Sequence, residues 1–461
     1  MKQKILSYLL VILFFALAHG KEFQVNNRTS LSQANVDVAA GPNGRFYTVW
    51  SSYFGTAGRS NDIICRIFEP NCAPTGDEFQ INQTVLGNQT EPSIAVKKPT
   101  GDFIVVWQGP GLIEEDGEDI FAQWIDANGL PLGDEIHINN INLQKDQVCP
   151  KIAMNDSGSY VLVWESESPN TEPNTTIICC RQYDSGGKAI GNEFQVNNEP
   201  DCRYPDVAID PNGNFTVVWI EGNRPNFSVM ARLYDSNGIS ITEPFKVSTI
   251  PITSFSQPEI AMDATGCFLI IWDGDPNLAR LDDIHCRLYE PNGVPKGEQF
   301  TVNSTLENAQ QNPQAAMNDL GQFVIIWDSE GDPNVNQKDI LGQRFNSSGV
   351  RLGGEFRLNS YTDSDQKSPA VAILEDGRFV AVWQSLNQDT SNYGIFGEIQ
   401  EMISAADFNI DGYVNFLDYS ILAAEWHLST SLLVSDLIDD TIIDECDLYV
   451  FCQKWLNLSN R

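Results

Sequence analysis

The stretch KEFQVNN, residues 21–27, returns as DEFQINQ at 77–83 and as NEFQVNN at 192–198. The later copies each end a longer unit, whereas the first has no such unit before it. The reading of this orphan copy decides the fold.

Seven tryptophans mark the unit: Trp50, Trp107, Trp164, Trp219, Trp272, Trp327 and Trp383, spaced 53 to 57 residues apart. Four strand-like runs recur in each unit. The second unit shows them as PSIAV (92–96), FIVVW (103–107), DIFAQWI (119–125) and EIHIN (135–139), here called A, B, C and D. A and B are joined by short polar turns such as GPNGR (41–45), DPNGN (210–214) and NDLGQ (318–322). Glycine in such turns supplies the positive φ that a tight hairpin requires. Short strands with regular turn signals, and no helical period before residue 402, predict an all-β array. A repeat of this length with strand patterning points to a propeller. Strand A is read as apolar and small, suited to the crowded axis.

Runs of type A, B and C occur seven times, but D follows only the first six C strands. After GIFGEIQ (394–400) the chain leaves the pattern. The missing seventh D strand is the orphan, residues 22–26. The expectation is therefore a seven-bladed β-propeller of four-stranded blades over residues 21–401, closed by the N-terminal strand. Closure removes open sheet edges. The repeated Trp ends an apolar run in every blade and reads as packing between blades rather than as a sugar platform. Asp62, Asp119, Asp283 and Asp339 recur at the start of strand C and read as turn caps.

Residues 1–20 read as a signal peptide, with Lys2 and Lys4, an apolar run from Ile5 to Ala18 and a small-residue site at Ala18-His19-Gly20. The run is short for a membrane span, and no membrane span is expected after its removal. The expected location is secreted or cell-surface. Lys+Arg number 28 against 62 Asp+Glu, a net charge of −34. Nucleic acid and anionic membrane surfaces are excluded as partners by repulsion. An acidic surface suits an exported, calcium-using protein, and solubility alone explains it as well. Ten cysteines in an exported chain suggest disulfides. However, Cys65, Cys180 and Cys286 occupy a slot that other blades fill with Ala122, Ala231, Gly342 and Gly397, so they read as packed free thiols. Cys149 and Cys202 are the pair to watch, since both precede strand A in neighbouring blades.

The A–B and C–D turns share one face and are uniform. The B–C and D–A loops share the other and are long and varied, as in QGPGLIEEDGED (108–119) and DGDPNLARLDD (273–283). Varied loops on a rigid scaffold are where binding is usually placed. They carry Glu114, Glu115, Asp116, Asp275, Asp282 and Asp332, which also read as a solvated rim. Candidate ligand-binding aromatics are Tyr53, Phe54, Tyr204, Phe227, Phe255, Tyr361 and Tyr393, which also read as loop packing. No catalytic residue is assigned. His137 and His285 lie on strands, so a Ser-His-Asp or His-rich metal site is poorly supported. Glycoside hydrolysis needs only two carboxylates, and the sequence does not choose a pair.

Residues 402–461 change character. DFNIDGYVNFLD (407–418) places Asp407, Asn409, Asp411, Asn415 and Asp418 at loop positions 1, 3, 5, 9 and 12, with Gly412 at 6 and the Tyr413 carbonyl at 7. This is EF-hand calcium-loop spacing. An apolar-periodic helix follows, 416–426. A second copy, DLIDDTIIDECD (436–447), keeps Asp436, Asp440, Asp444 and Asp447, with the Ile442 carbonyl at position 7. It carries Ile438 at position 3 and Thr441 at position 6, so a full first site and a weakened second one are expected. Paired single-helix calcium loops of this kind resemble the type I dockerin of bacterial extracellular polysaccharide-degrading systems, over about residues 405–456. The resemblance implies Ca2+ as cofactor, a cohesin-like protein partner and a polysaccharide-related setting. Loop positions 10 and 11, which often read the cohesin in that family, are Phe416–Leu417 and Glu445–Cys446 rather than Ser/Thr-type pairs.

Taken together, the expectation is a secreted propeller that docks through a calcium-binding, dockerin-like module. The propeller is read as a glycan- or protein-binding scaffold. One alternative is a glycoside hydrolase or polysaccharide lyase using loop carboxylates, although the reading leans away from an enzyme. The other is a purely structural repeat protein.

Overall fold

The computed structural model describes residues 22–402 except 57–58, 112–116, 141–144, 168–174, 224–225, 251, 253–256, 276–281, 307 and 332–336. Beyond 402 it describes 407, 416–426, 435, 437, 443 and 447–452. The strands form seven antiparallel blades, each built on four strands in the order A-B-C-D from the axis outward. Blade 2, for example, runs Thr90–Val96, Phe103–Pro110, Glu118–Ile125 and Ile136–His137. Blade 1 adds a short strand, Gly87–Asn88, that pairs in parallel with its strand C. The inner strands pack against one another in sequence around the ring, and that of blade 7 packs against that of blade 1.

The ring closes as the repeat count requires. The N-terminal strand, Phe23–Gln24, pairs with Tyr393–Glu401 and becomes the fourth strand of blade 7. It is shorter than the expected 22–26, but the residues on either side repeat the contacts of their counterparts. Val25 donates its N–H to Ile395 O at 2.8 Å, as Ile81 donates to Ile63 O. Asn26 Oδ1 accepts the Ile395 N–H at 2.8 Å, as Asn82 Oδ1 accepts that of Ile63. Glu22 Oε2 accepts the Ser360 N–H at 2.6 Å, as Glu78 Oε2 accepts that of Asn27. Bonds of this last kind link neighbouring blades at six of the seven junctions.

Two buried hydrogen bonds recur, the first of them in five of the seven blades. The Trp Nε1–H donates to a glutamine at the head of strand A: Trp50 to Gln33, Trp107 to Gln89, Trp164 to Gln147, Trp327 to Gln310 and Trp383 to Gln366. All seven tryptophans are fully buried, so an unpaired indole N–H would carry the full desolvation cost. On the outer side the D-strand asparagine also donates its amide to the strand-C aspartate, as in Asn82 to Asp62 at 2.7 Å and Asn139 to Asp119 at 2.7 Å. Asp62, Asp119, Asp283 and Asp339 thus brace the D-strand asparagine from within strand C, where turn caps were expected.

The small slot of strand C faces the phenylalanine of the repeated motif: Cys65 opposite Phe79, Cys180 opposite Phe194, Cys286 opposite Phe300 and Gly397 opposite Phe23. A Cβ on Gly342 would lie 2.8 Å from the Phe356 ring, which leaves no room for a larger side chain. Cys65, Cys180 and Cys286 are buried free thiols, and burial pushes all three up. Cys149 and Cys202 are separate free thiols as well. Among the described residues no helix is long and apolar enough to cross a membrane; the expected signal peptide lies outside them.

Beyond the propeller, α1 spans Phe416–Glu425 and a second short helix spans 447–452. Leu422, Ile443 and Phe451 form a small apolar core of their own.

Candidate functional site

Strand A is not uniformly apolar and small, and this corrects the reading above. In six blades its register shifts at the same place: Ala34/Asp37, Thr90/Ser93, Val148/Lys151, Arg203/Asp206, Gln311/Gln314 and Lys367/Ala370. Each shift is a bulge, a device that re-aims side chains. Within it one residue takes a left-handed backbone: Asn35, Glu91, Cys149, Tyr204, Asn312 and Ser368, all with φ between 49° and 54°. Five of the six precede proline, which disfavours the right-handed helical region for them. A left-handed residue with a side chain costs of order 1–3 kcal/mol.

The preceding blade holds this conformation in place. The residue after its tryptophan accepts the N–H of the left-handed residue: Gln108 Oε1 from Cys149 at 2.9 Å, Glu165 Oε1 from Tyr204 at 2.6 Å and Asp328 Oδ1 from Ser368 at 2.9 Å. Asn312 and Lys338 also donate to Asp328 Oδ2, at 2.8 and 3.4 Å. Burial raises the Asp328 carboxyl to about 6, against the opposing pull of Lys338.

The result is a cavity of about 210 Å³, lined by the inner strands of all seven blades and therefore on the axis. It lies toward the starts of the A strands, on the side of the varied D–A and B–C loops. Its side chains form two tiers. The upper tier is the left-handed set, with Gln257 in the equivalent place in blade 5. The lower tier, two residues on, includes Asp37, Lys151, Glu259 and Gln314.

A polar bridge crosses the lower tier. Lys151 Nζ lies 3.2 Å from Glu259 Oε1, and Gln314 Nε2 donates to the same oxygen at 2.8 Å. Blades 3, 5 and 6 are thereby joined over the axis. Asp37 Oδ2 accepts the Ile94 N–H at 3.0 Å and Asp206 Oδ2 that of Ile260 at 2.9 Å, each tying one blade to the next. Burial raises Asp37, with Lys151 pulling the other way. Burial and the Glu259 charge raise Asp206 well above the ordinary carboxylate range. Burial works against the Lys151 ammonium, but Glu259, Asp206 and Asp37 together outweigh it and raise its pKa. On the upper tier Asn35 Nδ2 donates to Glu91 Oε1 at 2.7 Å.

Of the aromatics expected to contact ligand, only Tyr204 lines the cavity among the described residues. Phe227 is 3% exposed and belongs to a blade core, so it does not present itself to a ligand. Phe54 packs against a core cluster, with the Arg28 guanidinium 4.0 Å above its ring. Lys367 Nζ lies 4.1 Å from the centre of the Tyr393 ring. Tyr53 is exposed, Tyr361 is half-buried, and Phe255 lies outside the described residues. Asp275 and Asp282 are buried rather than solvated, while Glu114, Glu115, Asp116 and Asp332 lie outside the described residues. His137 Nε2 sits 3.0 Å from Asp119 Oδ2, and His285 is buried, which lowers its pKa. Neither histidine lines the cavity. The signal for the site was present in sequence as a recurring polar residue–Pro–polar residue before each Ile/Val/Ala-Ala run: EPSIA, CPKIA, YPDVA, QPEIA and NPQAA.

In the C-terminal segment Asp407, Asp418 and Asp447 are described, and all three are buried. Asp418 stands in the first turn of α1 and Asp447 lies in the second helix, each at position 12 of an expected calcium loop. Leu437 donates its N–H to Asp447 Oδ1 at 2.7 Å. Asn409, Asp411, Tyr413, Asn415, Asp436, Asp440, Ile442 and Asp444 lie outside the described residues. Asp407 and Asp418 stand at the two ends of the first expected loop, whose middle lies outside the described residues.

No family model matches the chain, and no curated protein is similar to it in sequence. Several solved structures follow a similar backbone course. A protein of unknown function from Dyadobacter fermentans DSM 18053 has a TM-score of 0.49 and 11% identity, covering 82% of this chain and 97% of that one. The Hadza microbial sialidase Hz136 scores 0.46 at 9% identity, covering 83% and 68%. An α-L-arabinanase from Penicillium chrysogenum, complexed with arabinobiose, scores 0.45 at 12% identity, covering 68% and 92%. At these scores none of them bears on the chemistry of the axial cavity.

Proposed function

We propose that this chain is an exported propeller whose variable-loop face binds a glycan or protein at the axis, and whose C-terminal module docks it through calcium into an extracellular assembly handling polysaccharide. The observation that carries the binding half is the two-tiered polar cavity, built at a recurring backbone cost and held by neighbouring blades. A purely structural ring has no need of left-handed residues at one place in at least six of its blades. The docking half rests on the loop spacing and on buried carboxylates at loop ends beside a core of three residues. Calcium would be held by Asp407, Asn409, Asp411, the Tyr413 carbonyl, Asn415 and Asp418, and less well by the second loop. Its charge would offset the mutual repulsion of these carboxylates. A cohesin-like protein is the partner this module fits.

A glycan array on the full chain, followed by reducing-sugar assays on the hits, tests the binding half. Binding without turnover is expected, and silence across the array would remove the reading. For the docking half, calcium titration should show one tight and one weak phase with a gain in helicity. Asp407→Ala with Asp411→Ala should abolish the tight phase only, and no calcium effect on helicity would remove the module from the account.

A second reading has one observation in its favour. Asp206, held toward its protonated form by burial and the Glu259 charge, stands beside that second carboxylate, and a protonated carboxyl paired with another carboxylate is what glycosidases use. Sugar release lost in Asp206→Asn would establish it.

A further inference from the structure

We infer that the axial cavity is a site for a ligand carrying one primary ammonium on a small hydroxylated body, the shared chemistry of an amino-sugar unit and an amino alcohol. This rests on the variable-loop face being the binding face, and narrows what it binds.

The first argument is charge. Asp37, Glu91 and Glu259 line the cavity, Asp206 stands beside them, and Lys151 is the single cation among the lining residues. Its ammonium is already engaged by Glu259. Among the described residues the other three carboxylates have only that one cation, shared, to answer them. A recess with low-dielectric walls and one dominant sign focuses its field on whatever enters. The walls here are five prolines, of blades 2, 3, 4, 5 and 7.

The second argument is size and hydrogen bonding. At about 210 Å³ the cavity is smaller than the roughly 300–1,000 Å³ typical of sites for drug-sized ligands. The Lys151–Glu259–Gln314 bridge crosses it below, so a ligand enters from the loop side and goes no deeper than the lower tier. Asn35, Asn312, Gln314 and Ser368 offer neutral donors and acceptors suited to hydroxyls. A metal ion is a poorer match: among the described residues no three His, Cys, Asp or Glu side chains are grouped to hold one. An organic ammonium needs no such coordination shell.

Ammonium entry should also displace protons. The titratable groups facing the cavity are Asp37, Glu91, Cys149, Lys151, Tyr204 and Glu259, with Asp206 and Glu165 adjoining. Burial raises Asp37 and Asp206, so part of their charge is cancelled by protons at lower pH. A cation that replaces those protons binds more tightly as pH rises.

Titration calorimetry on the full chain at low salt tests this, with glucosamine, ethanolamine, glucose and N-acetylglucosamine as probes. At pH 7 the two amines should bind and the two neutral sugars should not. The preferred amine tells the amino-sugar source from the amino-alcohol source. Affinity should rise several-fold from pH 5 to pH 7. Asp37→Asn combined with Asp206→Asn should weaken binding tenfold or more. Lys151→Met should tighten it tenfold or more, a gain that misfolding cannot produce. Neutral sugars binding as well as the amines, with binding lost in the cavity-filling Gln314→Trp, would overturn the ammonium inference and leave the binding face standing. Silence from all four probes and from the glycan array would overturn both.

Discussion

The outer and inner edges of the blades are built from one repeat but under opposite rules. At the outer edge the residues hardly vary: an asparagine caps strand C, a phenylalanine fills the small slot, and an acidic or amide side chain reaches the next blade. At the inner edge the backbone is nearly as constant, with the same bulge and a left-handed residue at the same place in six blades. There the side chains vary, with six residue types among seven blades: Asn35, Glu91, Cys149, Tyr204, Gln257, Asn312 and Ser368. Constant side chains on a constant backbone serve stability. Varied side chains on a constant, strained backbone produce an asymmetric site on a nearly symmetric ring.

The largest effect should come from removing the outer edge of one blade. Deleting residues 22–27 leaves blade 7 with three strands and an open edge. Aggregation or loss of the cooperative melt is expected by light scattering and calorimetry, and a parent-like melt would break the ring-closure account. Phe23 is partly buried against Phe46 and Phe68, and Phe23→Asp should cost about 2–4 kcal/mol, below the loss of a fully buried aromatic. Phe79→Asp and Phe194→Asp should match it, since the three slots are equivalent.

Next is the buried pair that separates the two edges. Gln147→Ala leaves the Trp164 indole N–H without its acceptor and should cost about 1–3 kcal/mol in denaturant unfolding. A neutral result would mean that the tryptophan repeat is held by packing alone.

The inner edge should respond with the opposite sign. Burial and Glu259 raise the Asp206 carboxyl above its unfolded value. Its contribution is therefore fully present below the ordinary carboxylate pKa and is lost as pH rises through the raised one. Asp206→Asn can still accept the Ile260 N–H, so it should melt above the parent near pH 8 and converge with it near pH 4. A variant less stable at pH 8 would show that the charge in the lower tier holds the blades together.

The smallest effect is the relief of strain. Ser368→Gly removes the penalty of φ 49° against the flexibility that glycine adds, a net gain of up to about 1 kcal/mol. A loss would mean that the left-handed backbone at this position is not strained.

The sequence alone was enough for the blade count, the closing strand, the hairpin turns and the small-slot cysteines, because each rests on a local period or a nearest-neighbour pairing repeated seven times. Gly44, Gly101 and Gly158 take positive φ in the A–B turns as the turn chemistry demands. The axial site was not legible in the same way. Its residues are dispersed from Asn35 to Ser368, one or two per blade, and within any one blade Glu91-Pro92 or Asn312-Pro313 reads as a strand start. Only closure of the ring sets Lys151 against Glu259, 108 residues away, and only the bulge, held from the neighbouring blade, turns the pre-proline side chains onto the axis. The partners of these charges are fixed by long-range packing, and so the tertiary structure decided the site.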